Sequence, residues 1–122
     1  MKLITFILFF LLFSYSYSQS AQDYFQKAID ENNKWGNKNY TEIIMNCNKA
    51  IELDASFINA YITRAEAKSK IGDYSGSMED FDKAIYLDPQ KGYTYSCRGN
   101  VKLDNKYYNS AITDFNKALE LA

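Results

Sequence analysis

Apolar residues along this 122-residue chain follow two patterns. Leu3 to Phe13 (LITFILFFLLF) is an apolar run of 11 residues interrupted only by Thr5, whereas further on apolar and polar positions alternate at helical spacing. Three stripes stand out: Ile43, Cys47, Ala50, Ile51; Met78, Phe81, Ala84, Ile85; and Ala111, Phe115, Ala118, Leu119. Residues three and four apart share one face of a helix, so each stripe predicts an amphipathic helix of about four turns. Cap chemistry marks the starts. Asn39 stands three residues before Glu42 as a capping box, and Asp73 can cap the second stripe. Asp88-Pro89 ends that helix, because proline has no donor and restricts the residue before it.

The stripes repeat. GDYSGSMEDFDKAIYLDP, from Gly72 to Pro89, reappears 34 residues away in either direction: Tyr40, Tyr74, Tyr108; Ala50, Ala84, Ala118; Leu53, Leu87, Leu121. A shorter motif precedes two of the stripes, Tyr61, Arg64, Ala65, Lys68 and Tyr95, Arg98, Gly99, Lys102. Small Ala65 and Gly99 let two helix backbones approach closely. Gly72 supplies the left-handed residue of a tight helix-helix turn, and Asn105-Lys106 stands there in the last repeat, with asparagine expected to take that conformation. A fixed period of this length marks an array whose units bury their apolar faces against neighbours.

At these residues the chain resembles the tetratricopeptide repeat family, whose signature is an aromatic, a small residue, Ala-x-x-x-Phe and then proline. Tyr95, Gly99, Ala111 and Phe115 match it, as do Tyr61, Ala65, Phe81 and Pro89. The resemblance extends from Gln22 to the last residue. It implies an all-α fold, a right-handed α-solenoid of three stacked antiparallel helix pairs, with repeats at 19–56, 57–91 and 92–122.

Arg64 and Arg98 stand where the family usually has leucine, and Lys68 and Lys102 where it often has tyrosine. Each arginine has an aspartate 16 residues later, Asp80 or Asp114, on the paired helix. The first repeat has Lys27 and Asn46 instead. Arginine and aspartate therefore occur together or not at all, which predicts partly buried ion pairs Arg64 with Asp80 and Arg98 with Asp114. The first repeat is also longer by three residues between Tyr24 and Tyr40, within Asn32 to Lys38. Trp35, the only tryptophan, lies there and is expected either to extend the first helix or to cover the mouth of a groove. Without that shift Lys27, Asp30, Glu31 and Lys34 would fall in the core, which desolvation forbids.

Met1-Lys2, the apolar run and small residues at Ser16-Tyr17-Ser18 have the layout of a secretory signal peptide, 1–18, cleaved after Ser18. At about 1.5 Å per residue the run falls short of a bilayer core of about 30 Å. The mature chain is expected to be periplasmic or secreted. Without Lys2 it has 13 basic against 15 acidic residues, out of 14 and 15, with the signs interspersed. No basic stripe is present to neutralise phosphates, so nucleic acid is not an expected partner.

The chain has no histidine, and so lacks the usual general base and the commonest metal ligand. With no glycine-rich phosphate loop and no metal-ligand spacing, the sequence points to no enzyme, no cofactor, no metal and no small-molecule substrate. Glu79, Asp80 and Asp82 read as a solvated face. The repeat register separates Cys47 and Cys97 by a whole unit, too far for a disulfide. Cys47 is expected in the core and Cys97 as a free or partly exposed thiol. Asn39-Tyr40-Thr41 fits an N-glycosylation acceptor, although capping is the simpler role.

The resemblance implies a concave groove lined by the first helices, holding a partner peptide or helix. On that face the spacing places Gln22, Phe25, Ile29 and Asn32, then Asn59, Ile62, Glu66 and Ser69, then Tyr93, Ser96, Asn100 and Leu103. Apolar groups mixed with amides and hydroxyls suit an extended backbone. Relatives that clamp a terminal carboxylate use lysine, asparagine and arginine; here Tyr93 and Cys97 occupy basic sites and Thr63 an asparagine site, which disfavours that ligand. The expected function is a protein-protein interaction module of an exported protein. The alternative is a structural piece that self-associates end to end, or belongs to a longer array, since Ala111, Ile112, Phe115, Ala118 and Leu119 cannot all be buried within their own repeat.

Overall fold

The computed structural model describes the backbone of residues 1–17 and 19–122 and the side chains of 1–10 and 19–122. It contains α1 (Lys2–Tyr17), α2 (Ala21–Asn32), α3 (Tyr40–Leu53), α4 (Ile58–Lys70), α5 (Tyr74–Leu87), α6 (Gly92–Asp104) and α7 (Tyr108–Glu120), with no strand among the described residues. Helices pair in sequence, α2 with α3, α4 with α5 and α6 with α7, and each pair packs on the next. The apolar run forms α1, for which no contact with another helix is found among the described residues. Among the described residues the inter-helix contacts all lie within 19–122. Ser18, the expected cleavage residue, lies outside the described residues. No described helix is long and apolar enough to cross a membrane.

Two clusters make the core. Ala28, Ile43, Cys47 and Ala67 join the first pair to α4. Tyr61, Ile62, Ala65, Phe81, Ala84, Cys97 and Val101 join the second pair to α6. The small residues sit at close approaches, and a Cβ added at Gly99 would meet Phe115 Cε1 at 2.7 Å. Burial fades toward α7, where Ala111 is buried but Phe115 and Ala118 are only half-buried and Leu119 is 74% exposed. The two alanines therefore part company. Ala84→Leu should cost about 1 to 3 kcal/mol by overpacking, and Ala118→Leu clearly less. Equal losses in thermal melts would contradict this gradient.

Helix ends follow local chemistry, with corrections to the sequence reading. Asp73 caps α5 by accepting from the Gly76 N–H at 2.9 Å. Asn39 caps α3 by accepting from the Glu42 N–H at 3.1 Å. Its own N–H, however, donates at 2.7 Å to Glu31 Oε1 across the repeat, a place a capping box would give to Glu42. The α4–α5 turn is a Schellman motif, with Asp73 N–H bonded to Lys68 O, Gly72 N–H to Ser69 O and Gly72 at φ +87°. In the last repeat Lys106, at φ +66°, takes the left-handed place, while Asn105 stays right-handed as the helix cap. Asp88 before the proline is extended, as required, yet Asp54 before Ala55 has nearly the same geometry. Each aspartate Oδ1 accepts the N–H two residues on, from Ser56 or Gln90, so the stop signal is the aspartate as much as the proline.

The expected ion pairs are present and larger than foreseen. Asp80 accepts two hydrogen bonds from Arg64, at 2.8 and 2.6 Å, and pairs with Lys68 at 2.9 Å. Asp114 repeats the arrangement with Arg98, at 2.9 and 2.7 Å, and Lys102 at 2.9 Å. Each arginine also reaches back one repeat, Arg64 to Asn48 and Arg98 to Asp82. Of the three acids read as a solvated face, Glu79 and Asp82 are exposed and Asp80 is buried, because it faces α4.

Burial acts to raise the Asp114 carboxyl, but hydrogen bonds from Arg98 and Lys102 outweigh it and hold the group below its ordinary value. A depressed acid contributes stability above its unfolded-state value of about 3.9, and that contribution is lost as pH falls through the folded value. The urea midpoint should therefore drop on acidification below about pH 4, and less steeply in Asp114→Asn. Asp23 and Glu31, which are also lowered, leave the variant a residual slope. Parallel pH profiles would refute the assignment.

The insertion in the first repeat is a loop. Helix α2 ends at Asn32, Gly36 takes φ +90°, and Trp35 is fully exposed. Trp35 neither extends the helix nor packs over a groove. Its native emission should be red-shifted and freely quenched by iodide; a blue-shifted, protected signal would contradict the loop. Of the four residues an unshifted register would have buried, Glu31 is still inside, 4% exposed, satisfied by the Asn39 N–H and by a salt bridge to Lys34.

Candidate functional site

The first helices of the three pairs, α2, α4 and α6, share one face, and two hollows open on it. One, of about 330 Å³, is lined by Phe25, Ile29, Asn59, Ile62, Thr63, Lys91 and Tyr93. The other, of about 180 Å³, is lined by Asn32, Lys38, Tyr40, Glu66, Ala67, Lys70, Cys97, Asn100, Val101 and Asp104. Eight of the twelve residues placed on this face by their spacing thus meet at a hollow: Phe25, Ile29, Asn59, Ile62 and Tyr93 at the larger, Asn32, Glu66 and Asn100 at the smaller. Ser69, Ser96 and Leu103 line neither. Gln22 borders a shallow depression with Phe57 and Asn59.

Exposure divides them further. Tyr93 is 59% and Leu103 45% exposed, and Asn59 and Asn100 are open to solvent. Ile62 is only 2% exposed and belongs to the core, so it floors the larger hollow without offering a free side chain. Phe25 is half-buried, its ring 4.8 Å from that of Phe57 at the start of α4. Lys91 Nζ donates to Asn59 Oδ1 at 2.5 Å, tying the linker before α6 to α4 across the rim. Spacing alone missed Lys38, Lys70 and Lys91, since Lys38 and Lys91 lie between helices and Lys70 ends one.

Cys97 is a free thiol, as expected, but it is buried and not partly exposed. It is 4% exposed, on the floor of the smaller hollow, with the Glu66 carboxyl and the Tyr93 hydroxyl both acting on its thiol. Burial, with Glu66 next, pushes that thiol up to about 12. Cys47, fully buried, is likewise raised by burial to about 12. Both are free thiols, as the register requires. Contact with Cys97, more than its own burial, raises the Tyr93 phenol. Burial raises Glu66, while Cys97, Lys70 and Lys38 act in the opposite sense. The face therefore presents hydrogen-bonding groups and apolar patches, with protonated thiols that are poor nucleophiles.

The profile of the tetratricopeptide repeat matches residues 58–91 and 93–122, more than half of the chain. The chain belongs to the tetratricopeptide repeat family. No curated protein matches it. Among solved structures it is similar to the first tetratricopeptide domain of Spaghetti (RPAP3) bound to the HSP90 peptide SRMEEVD, with a TM-score of 0.74 and 23% identity over 85% of this chain and 80% of that one. Two structures of MamA align at TM-scores of 0.67 and 0.69, with 23% and 21% identity over 84% of this chain. This chain spans 58% and 54% of those MamA chains. At such identities the likeness is one of fold, an all-α tetratricopeptide repeat solenoid, the kind of scaffold generally used for protein interaction.

Proposed function

We propose that residues 19–122 form a non-enzymatic module that binds a partner peptide or helix along the face of α2, α4 and α6. The observation that carries this reading is the pair of adjoining hollows, in which half-buried Phe25 and Ile29 alternate with the amides of Asn59, Asn32 and Asn100. Apolar side chains and backbone groups of an extended segment need that mixture. The peptide held by the RPAP3 domain is acidic, whereas here Tyr93, Cys97 and Thr63 replace a carboxylate clamp. The proposal includes export: the leader at 1–18 is removed and the module works outside the cytoplasm.

The test compares partners captured by the unit 19–122 with those of a Phe25→Ser, Tyr93→Ser, Asn100→Ala variant, and measures the melts of both. Loss of the same partner at an unchanged melting temperature supports the groove. Identical partner lists would sink it. Ile62 is left out because its burial would confound folding with binding.

A second reading rests on α7. Tyr108 is 56%, Ile112 55% and Leu119 74% exposed, while their counterparts Tyr74, Met78 and Ile85 are partly covered by the next repeat. A helix from a second copy, or from elsewhere in a longer array, would cover that face. Light scattering over a wide concentration range, with Ile112→Lys as the dissociating variant, tests self-association; a monomer throughout would discard it.

A further inference from the structure

Every fully buried carboxylate among the described residues holds a cation: Glu31 pairs with Lys34, Asp80 with Arg64 and Lys68, Asp114 with Arg98 and Lys102. Half-buried Asp88 accepts the Gln90 N–H instead. Glu66 has neither kind of partner. It is half-buried on α4 at the smaller hollow, it has no lysine or arginine at salt-bridge distance, and its close contact is the Cys97 thiol, a weak donor. A carboxylate drawn out of water without a strong partner is costly, and the cost falls when a cation is delivered to it.

Two lysines border the hollow, and neither fills that role. Lys70 is held at 3.7 Å by Asp104 on the rim. Lys38, in the loop before α3, acts on Glu66 from beyond salt-bridge distance. Ala67 and Val101 give the hollow an apolar wall beside its carboxylate. At about 180 Å³ it has room for about six waters, the size of one long side chain and too small for a folded element.

We propose that the smaller hollow receives a basic side chain of the bound peptide, its ammonium or guanidinium set against the Glu66 carboxylate and its methylene stem against Ala67 and Val101. This rests on the peptide-groove reading and names the partner's chemistry: an extended segment carrying a lysine or arginine. The hollow thus inverts the charge preference of a carboxylate clamp. Lys and Arg stems lie readily on apolar surface while the charged head seeks a partner, which is the arrangement these walls offer.

The probes are three fluorescein-labelled peptides, Gly-Ser-Leu-X-Leu-Ser-Gly, with X arginine, norleucine or glutamate, titrated into the unit 19–122. Anisotropy gives the affinities, and amide shifts in nitrogen-edited NMR spectra locate the site. The arginine peptide should bind about 10-fold or more tighter than the norleucine peptide, the gain of one charge-assisted contact, and the glutamate peptide weakest. Shifts should centre on Glu66, Ala67 and Val101. Glu66→Gln should erase the arginine preference with no loss of melting temperature, and Lys38→Met should strengthen arginine binding severalfold by removing a competing cation.

Equal affinity for arginine and norleucine, with shifts on α4 and α6, would overturn the basic-side-chain proposal and leave the groove standing. So would an arginine preference that survives Glu66→Gln. Argininamide alone binding as tightly as the peptide would replace the peptide by a small cation. No shift on α2, α4 or α6 with any probe would count against both the hollow and the groove.

Discussion

Asp80→Asn is expected to lower stability by about 3 kcal/mol, at the lower end of the range for breaking a buried ion pair. Asp80 is 4% exposed and answers two cations at once, so neutralising it strands the Arg64 guanidinium and the Lys68 ammonium together. Those side chains keep 17% and 21% of their surface in solvent, which softens the loss. Arg64→Leu should cost less than half as much, since Lys68 continues to pair with Asp80 and leucine fills apolar space beside Tyr61. Urea titration of both variants checks the asymmetry. If Arg64→Leu proved the more damaging, the aspartate would not be the hub of the cluster.

Phe81→Ala should cost about 3 to 5 kcal/mol, a large part of the 5 to 15 kcal/mol that holds a typical domain together. Phe81 is the largest fully buried side chain among the described residues and packs in the cluster that joins α4, α5 and α6. Neighbouring helices are fixed by the arginine clusters and by the Tyr61 and Tyr95 hydroxyls, which donate to Ala55 O and Pro89 O at 2.9 and 3.1 Å. The cavity therefore has little freedom to collapse. Phe115→Ala, at the same position of the last repeat, should cost distinctly less because Phe115 is only half-buried. Circular-dichroism melts of the two variants decide it, and comparable losses would mean that α7 is covered in solution.

The period made most of the fold legible. Shifting by 34 residues locates both arginine-aspartate pairs, and their joint absence from the first repeat is what identified them as partners. The same shift carries Gly72 onto Lys106, so the left-handed residue was there to be read; the tolerance of asparagine for that conformation drew attention one place too early. The groove face was less legible. Helical spacing defines a stripe about 100° wide, but α4 is covered by pairs on both sides, which leaves Ile62 inside and only Asn59 exposed among the four α4 positions expected there. Cys97 was lost to the same effect. Glu31 was beyond reach because its partners, Lys34 and the Asn39 N–H, depend on the path of an inserted loop.

Burial of the two thiols has a kinetic side. Burial raises both to about 12, so little thiolate forms near neutral pH, and thiolate is the species that attacks a disulfide. Once folded, the protein is almost inert to oxidative pairing. In the unfolded chain the same cysteines return to about 8.5 and lie open to solvent, so they react more readily. In an oxidising compartment the fate of each molecule is then a race between collapse of the repeats and capture by an oxidant. The low sequence separation of contacts in a helical array speeds folding and so favours collapse in such a race.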